Sequence, residues 1–156
     1  MTFRHLSSLT QLISYSPLIF LVGIIIGIVL NIFFPLEFTH HTLRAIALGW
    51  FLLLVAPVLL FWGNESRATC YYHDEEDHVC KMLGAGPYTF TRHPKYVSFL
   101  FLVVGLGLIL NSIIMFIVAL VLFLVFTFLI IPKEEEILMG HFANYAEYRK
   151  EVPMWL

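Results

Sequence analysis

The chain has 156 residues, of which 60% are hydrophobic and 13% are charged, and its mean hydropathy is +0.85. A soluble domain of this length could not bury so much apolar surface, so the composition indicates an integral membrane protein with no separate soluble domain. The formal net charge of −2 gives no support for nucleic-acid binding.

Four apolar runs follow in chain order, at residues 17–34, 43–62, 96–110 and 113–131. The first, second and fourth meet or approach the roughly 20 residues that a spanning helix needs. The third is short, but Pro94 suits the first turn of a helix, which can therefore begin near that residue. Only Asn111-Ser112 separates the last two runs, which predicts a tight antiparallel hairpin. We predict an all-α integral membrane protein with about four transmembrane helices and a C-terminal interfacial helix; three spans are the main alternative.

The predicted spans divide a single membrane domain, 1–156, into four parts. These are two N-terminal helices (1–62), a loop (63–95), a helical hairpin (96–131) and a C-terminal tail (132–156). Four spans place the N-terminus, the loop and the tail on one side of the membrane, and that side carries all the Lys and Arg residues except Arg44: Arg4, Arg67, Lys81, Arg92, Lys95, Lys133, Arg149 and Lys150. The positive-inside rule then predicts that both termini and the loop are cytoplasmic.

Several small residues within the spans bear on packing. Gly23 and Gly27 form a small-xxx-small pair, which indicates either a close helix contact or the ordinary frequency of glycine in membrane helices. Gly105 and Gly107 permit close approach of a neighbour or a ligand. Pro57 removes a hydrogen-bond donor inside the second helix and favours a kink there.

The segment 70–80 contains two cysteines, two histidines and four acids. Cysteine and histidine are zinc ligands, but their spacing here matches no common zinc module, so we interpret the segment as a solvated surface loop without a metal. A disulfide is not expected in a cytoplasmic loop. Further along, apolar and aromatic residues recur at helical spacing and predict the interfacial helix, with Trp155 as an anchor. These residues are Ile137, Leu138, Phe142, Tyr145 and Tyr148.

A polar cluster stands at each end of the predicted hairpin. His93 and Tyr96 are three residues apart and share one face of a helix that begins at Pro94. Glu134 and Glu135 lie at the far end of the next helix, which returns them to the same side. Each charge by itself could simply reach the lipid phosphates, but the set predicts that a His, a Tyr, an Arg and carboxylates converge.

Such a cluster suits a small ligand that carries both signs of charge. Carboxylates accept hydrogen bonds from hydroxyl or ammonium groups and offset a sulfonium cation, while Arg92 can bind a carboxylate with two hydrogen bonds. Tyr88 and Tyr96 can stack on a purine or lie against a cation. The residues alone therefore indicate an amphoteric, nucleoside-like ligand at the cytoplasmic membrane face.

The order of these motifs resembles a known family. The motifs that carry the resemblance follow in this order: Gly86-Pro87-Tyr88, Arg92-His93-Pro94-Lys95-Tyr96, an apolar hairpin, Glu134-Glu135 followed by Leu138, and Phe142 with Tyr145 and Tyr148. In these motifs the chain resembles the isoprenylcysteine carboxyl methyltransferase-like group, whose pattern phospholipid methyltransferases share. The resemblance covers residues 83–156. Ile130 stands where the eukaryotic enzymes have an arginine, and Pro132-Lys133-Glu134-Glu135 is closer to short prokaryotic members.

The resemblance implies an integral membrane methyltransferase that uses S-adenosylmethionine and methylates a lipophilic acceptor such as a prenyl-type carboxylate, a thiol or a lipid amine. It implies cofactor contacts at Tyr88, His93, Tyr96, Glu134, Glu135 and Leu138, with Gly86, Pro87 and Tyr88 shaping the approach. Arg92 and Glu135 are the candidates for holding the acceptor. Two alternatives are an NADPH-dependent membrane reductase of the sterol-reductase type and a non-catalytic membrane assembly module.

Overall fold

The computed structural model of the chain describes residues 15–38, 42–73, 86–141 and 145–156, with the backbone alone at 67–73 and 141. Six α-helices are present in this part of the chain: α1 (Ser16–Phe33), α2 (Leu43–His73), α3 (Pro94–Ile109), α4 (Ile113–Val125), α5 (Ile131–His141) and α6 (Tyr145–Glu151). A 3-10 turn at Gly86–Thr89 precedes α3, and a π-helical segment at Phe126–Ile130 joins α4 to α5 without a break. The predicted all-α class is confirmed.

The predicted membrane spans are confirmed in part. Within the described residues, three helices are long and apolar enough to cross a membrane: Ser16–Phe33, Leu43–Ser66 and Ile113–Gly140. The helix α3 is apolar but has only 16 residues. At 1.5 Å per residue it extends about 24 Å, which is short of a hydrocarbon core of about 30 Å. The fourth predicted span is therefore not established.

The prediction that residues 63–95 form a loop was wrong for residues 63–73, which are helical. The helix α2 continues to His73, well beyond the apolar run that ends at Trp62. No proline lies between Trp62 and His73 to end the helix, and hydropathy marks the edge of the apolar region rather than the end of hydrogen bonding. Pro57 lies inside α2, as predicted.

Glycines allow the helices to approach closely. A Cβ atom on Gly27 would lie 2.8 Å from Met115 Sδ, and one on Gly23 would lie 3.1 Å from a Leu122 methyl carbon, so this pair does form the contact between α1 and α4. A Cβ on Gly49 would lie 2.8 Å from the carbonyl oxygen of Gly105, so the backbones of α2 and α3 are in close contact at these two glycines. The glycines of α3 therefore serve helix packing.

The hairpin between α3 and α4 turns at Asn111, whose φ of 52° lies in the left-handed region that asparagine tolerates. Ser112 caps α4, because its Oγ accepts a hydrogen bond from the Met115 amide at 3.3 Å. This turn returns the chain, so Phe126, just after α4, and Glu134 and Glu135, near the start of α5, lie beside the beginning of α3. The prediction of a tight hairpin is confirmed.

The C-terminal tail packs against the protein. Tyr145 and Tyr148 are buried and form a cluster with Tyr88, so the aromatic face of α6 contacts protein. The Trp155 ring packs on Phe123, with 4.9 Å between ring centroids. Phe142, predicted to share this face, lies outside the described residues.

Candidate active site

A short turn delivers the motif to the first turn of α3. Gly86 has a φ of +65°, which favours glycine, and the Thr89 hydroxyl donates to the Gly86 carbonyl at 2.8 Å. The turn buries Pro87 and Tyr88. His93 is the N-cap residue of α3 with Pro94 in the first turn, as predicted.

The C-terminal tail holds this segment in place. Thr91 is 1% exposed, and its hydroxyl donates to the Met154 carbonyl at 2.9 Å while accepting from the His93 amide at 3.2 Å. The Arg92 amide donates to the Pro153 carbonyl at 3.1 Å. The last residues of the chain thus fix the backbone of the Arg-His-Pro motif.

Glu135 is the centre of the charged cluster and is 2% exposed. Its Oε1 lies 2.8 Å from Arg92 Nη1 and 3.2 Å from His93 Nε2. Its Oε2 lies 3.3 Å from Nε of Arg149, a side chain that is half-exposed. One buried carboxylate is therefore shared by two arginines and a histidine.

Glu134 forms the second half of the cluster. Tyr96 is 1% exposed and its hydroxyl donates to Glu134 Oε2 at 2.8 Å. The same oxygen lies 3.8 Å from His93 Nδ1, so the imidazole stands between the two carboxylates. Because a carboxylate only accepts hydrogen bonds, the contact with Glu135 places the proton of a neutral His93 on Nε2.

The π-helical segment aims these carboxylates. One extra residue in a helix rotates everything after it by about 100° relative to an uninterrupted α-helix. Phe126, at the start of the segment, is fully buried and packs on Tyr96 with 4.7 Å between ring centroids. The segment thus sets the rotation at which Glu134 and Glu135 meet α3, a feature that sequence periodicity did not reveal.

A cleft opens beside the cluster. Its interior space is about 20 Å³, room for about one water molecule, and the space enclosed rises to about 390 Å³ when the open mouth is counted. Its walls are Tyr88, Arg92, His93, Pro94, Lys95, Tyr96, Glu134, Leu138, Tyr145 and Tyr148. The structure therefore brings all the predicted site residues together at one cleft, with Glu135 held behind Arg92 and His93 by the contacts above.

Sequence reasoning missed several neighbours of the site. Arg149 pairs with Glu135, although from the sequence it was named only as one of the basic residues on the predicted cytoplasmic side. Tyr145 and Tyr148 line the cleft, and burial raises the pKa of both hydroxyls, which keeps them protonated. Lys95 Nζ donates to Ser16 Oγ at 2.6 Å, which ties the start of α1 to the site. The sequence signal for Tyr145, Tyr148 and Arg149 was their Tyr-x-x-Tyr-Arg spacing, which puts the three side chains on adjoining faces of one helix.

The interpretation of residues 70–80 as a loop without a metal stays a prediction, because their side chains lie outside the described part of the structure. Among the side chains that the structure does describe, no three Cys, His, Asp or Glu residues are grouped as metal ligands would be.

Comparison with known proteins shows the family of the chain. The curated protein "Cobalt-zinc-cadmium resistance protein CzcN" of Cupriavidus metallidurans is 32% identical over 106 residues, which cover 64% of this chain and 49% of that protein. The chain thus spans about half the length of the curated relative it matches. No solved structure matches it significantly. Residues 44–145, which include the Arg-His-Pro motif and both glutamates, match the model of the phospholipid methyltransferases, and the chain therefore belongs to this family of membrane methyltransferases.

Proposed function

We propose that the chain is an S-adenosylmethionine-dependent methyltransferase that acts on a lipophilic acceptor at the cytoplasmic face of a membrane. The observation that carries the proposal is the buried cluster of Arg92, His93, Glu134 and Glu135 beside a cleft, at the point where α3 and α5 meet. Family membership supplies the reaction class.

The donors and acceptors at the cleft fit the cofactor. Glu134 lines the cleft, so it can accept hydrogen bonds from ribose hydroxyls or an ammonium group and can offset a sulfonium cation. Glu135 supports the site from behind by holding Arg92 and His93. The Tyr88 ring lines the cleft and can lie against an adenine, whereas the Tyr96 ring is 1% exposed and packs on Phe126. Because the interior space is small, a nucleoside would occupy the mouth of the cleft and displace side chains there.

When bound, this cofactor supplies an electrophilic methyl group on sulfur. The residues of this chain would hold donor and acceptor in line and exclude water, which is worth about 7–11 kcal/mol for well-oriented reactants. Arg92 would hold or orient the acceptor. His93 would take a proton from an amine acceptor; a carboxylate or thiolate needs no base.

The membrane supplies the acceptor in this proposal. Three helices with apolar surfaces suit a protein embedded in lipid. A lipid-borne acceptor, such as a prenyl-type carboxylate, a thiol or a lipid amine, would enter between helices while the cofactor enters from the cytoplasm. The excess of basic residues on the motif side supports the cytoplasmic orientation.

Transfer of labelled methyl groups tests the proposal. Membranes that contain the chain are incubated with methyl-labelled S-adenosylmethionine and a lipid extract, and organic-soluble label is counted. We expect incorporation that Glu135→Gln abolishes and Glu136→Gln, at an exposed neighbour, retains. Release of labelled methanol by base would identify a carboxylate acceptor, whereas base-stable label would indicate an amine or a thiol. Incorporation no greater than in membranes without the chain would refute the proposal.

A further inference from the structure

Two buried hydrogen-bond donors at the cleft have neither a hydrogen bond nor an ion pair among the residues that the structure describes. They are Nε of Arg92, whose side chain is 7% exposed, and the hydroxyl of Tyr145, which is 4% exposed. Both side chains line the cleft. Buried polar groups are nearly always satisfied by protein, water or a ligand, so unpaired donors at a cleft mark a place where a bound molecule can be held.

The neighbouring tyrosine shows what the fold does elsewhere. Tyr148 lies one turn further along α6 and is equally buried, and its hydroxyl donates to the Tyr88 carbonyl at 2.8 Å. Packing of α6 therefore satisfies the Tyr148 hydroxyl, whereas the hydroxyl of Tyr145, a residue that lines the cleft, has no partner among the described residues. This contrast makes Tyr145 a candidate for ligand contact rather than for packing alone.

The chemistry of the two donors selects their ligand. Arg92 has no acceptor, and the Tyr145 hydroxyl stays protonated because burial and the charge of Glu135 raise its pKa. Glu135 already contacts Arg92 through Nη1, which leaves the Nε edge for another group. A carboxylate has two oxygens that accept hydrogen bonds, so it can accept one from each of these donors. A phosphate with two charges would meet stronger repulsion from Glu134 and Glu135.

We propose that Arg92 Nε and the Tyr145 hydroxyl form a subsite that binds a carboxylate of the ligand. The inference rests on the proposed function, because that carboxylate belongs either to the amino-acid end of the cofactor or to the acceptor. Arg92 is thereby given two tasks: one edge holds Glu135 and the other holds the ligand.

The test compares ligands with and without the carboxylate. The full chain, purified in detergent, is titrated calorimetrically with S-adenosylhomocysteine and with its decarboxylated analogue. A hydrogen bond to a charged group corresponds to about tenfold or more in affinity. We expect the homocysteine form to bind about tenfold more tightly, and we expect Tyr145→Phe to remove most of that difference while leaving affinity for the analogue unchanged. Tyr148→Phe is the matched control and should lower thermal stability without changing the ratio of the two affinities.

A second arm identifies an acceptor carboxylate. Protein saturated with S-adenosylhomocysteine is titrated with laurate and with dodecanol. The subsite would be assigned to the acceptor by two results together. S-adenosylhomocysteine and its decarboxylated analogue would bind equally well, and laurate would bind more tightly than dodecanol by a margin that Tyr145→Phe removes. The inference is overturned if neither pair of ligands is distinguished, or if Tyr145→Phe changes neither preference. If folded protein binds neither S-adenosylhomocysteine nor its analogue, the proposed function fails. The comparison of laurate and dodecanol affinities then tests the carboxylate subsite by itself.

Discussion

Replacing Glu135 by glutamine should destabilise the protein strongly. The carboxylate is 2% exposed and faces Arg92 at 2.8 Å, so the change leaves a buried guanidinium without its counter-charge. Removing one partner of a buried ion pair costs about 3–5 kcal/mol. The pair with Arg149 adds little because that side chain is 48% exposed. Glutamine keeps one oxygen as an acceptor, so we expect a loss of about 3 kcal/mol and a Tm lowered by about 6–12 °C.

Thermal unfolding in detergent, followed by circular dichroism, measures this effect. Glu136→Gln is the matched control, because Glu136 is exposed and its loss should change stability by no more than about 0.5 kcal/mol. Adding Arg92→Met to Glu135→Gln should recover part of the loss, since it removes the uncompensated charge. Equal melting temperatures for Glu135→Gln and Glu136→Gln would refute the account of a buried charge cluster.

Three further predictions concern the supports of the site. Tyr96→Phe removes the 2.8 Å hydrogen bond to Glu134 and should cost about 1–3 kcal/mol, measured by the same melting assay; an unchanged Tm would contradict it. Thr91→Val breaks the link between the C-terminal tail and the motif, so it should increase hydrogen exchange at the His93 amide, whereas Thr91→Ser keeps the hydroxyl and should preserve protection. Gly49→Ala places a methyl group 2.8 Å from the Gly105 carbonyl and should destabilise by about 1–3 kcal/mol; a stabilised variant would show that α2 and α3 do not pack this closely.

The part of the site that could be predicted follows from helical geometry. A hairpin with a two-residue turn must bring the end of its second helix back to the start of its first, so Glu134 and Glu135 had to lie near His93 and Tyr96. Pro94 marks the start of α3 because proline fits the first helical turn. These are local constraints that the sequence carries, whereas the rotation of Glu134 and Glu135 toward α3 depends on the π-helical segment, which sequence periodicity did not reveal.

The part that could not be predicted depends on long-range contacts. The return of the tail to Thr91 and Arg92 uses backbone carbonyls, which any residue supplies, so no sequence signal marks it. The partnership of Arg149 with Glu135 depends on how α6 docks, whereas its polar neighbours in the sequence indicated a solvated face. The extension of α2 to His73 was missed because hydropathy does not report helix ends outside the apolar region.

Calorimetric titration of the detergent-purified chain with S-adenosylhomocysteine tests the central claim most directly. The account predicts saturable binding with a Kd in the micromolar range, which is typical of enzyme ligands. His93→Ala and Glu135→Gln should abolish this binding, and Glu136→Gln should preserve it. A folded chain that gives no saturable binding, or that binds equally well in all three variants, would contradict the claim that the cluster between α3 and α5 is a cofactor site.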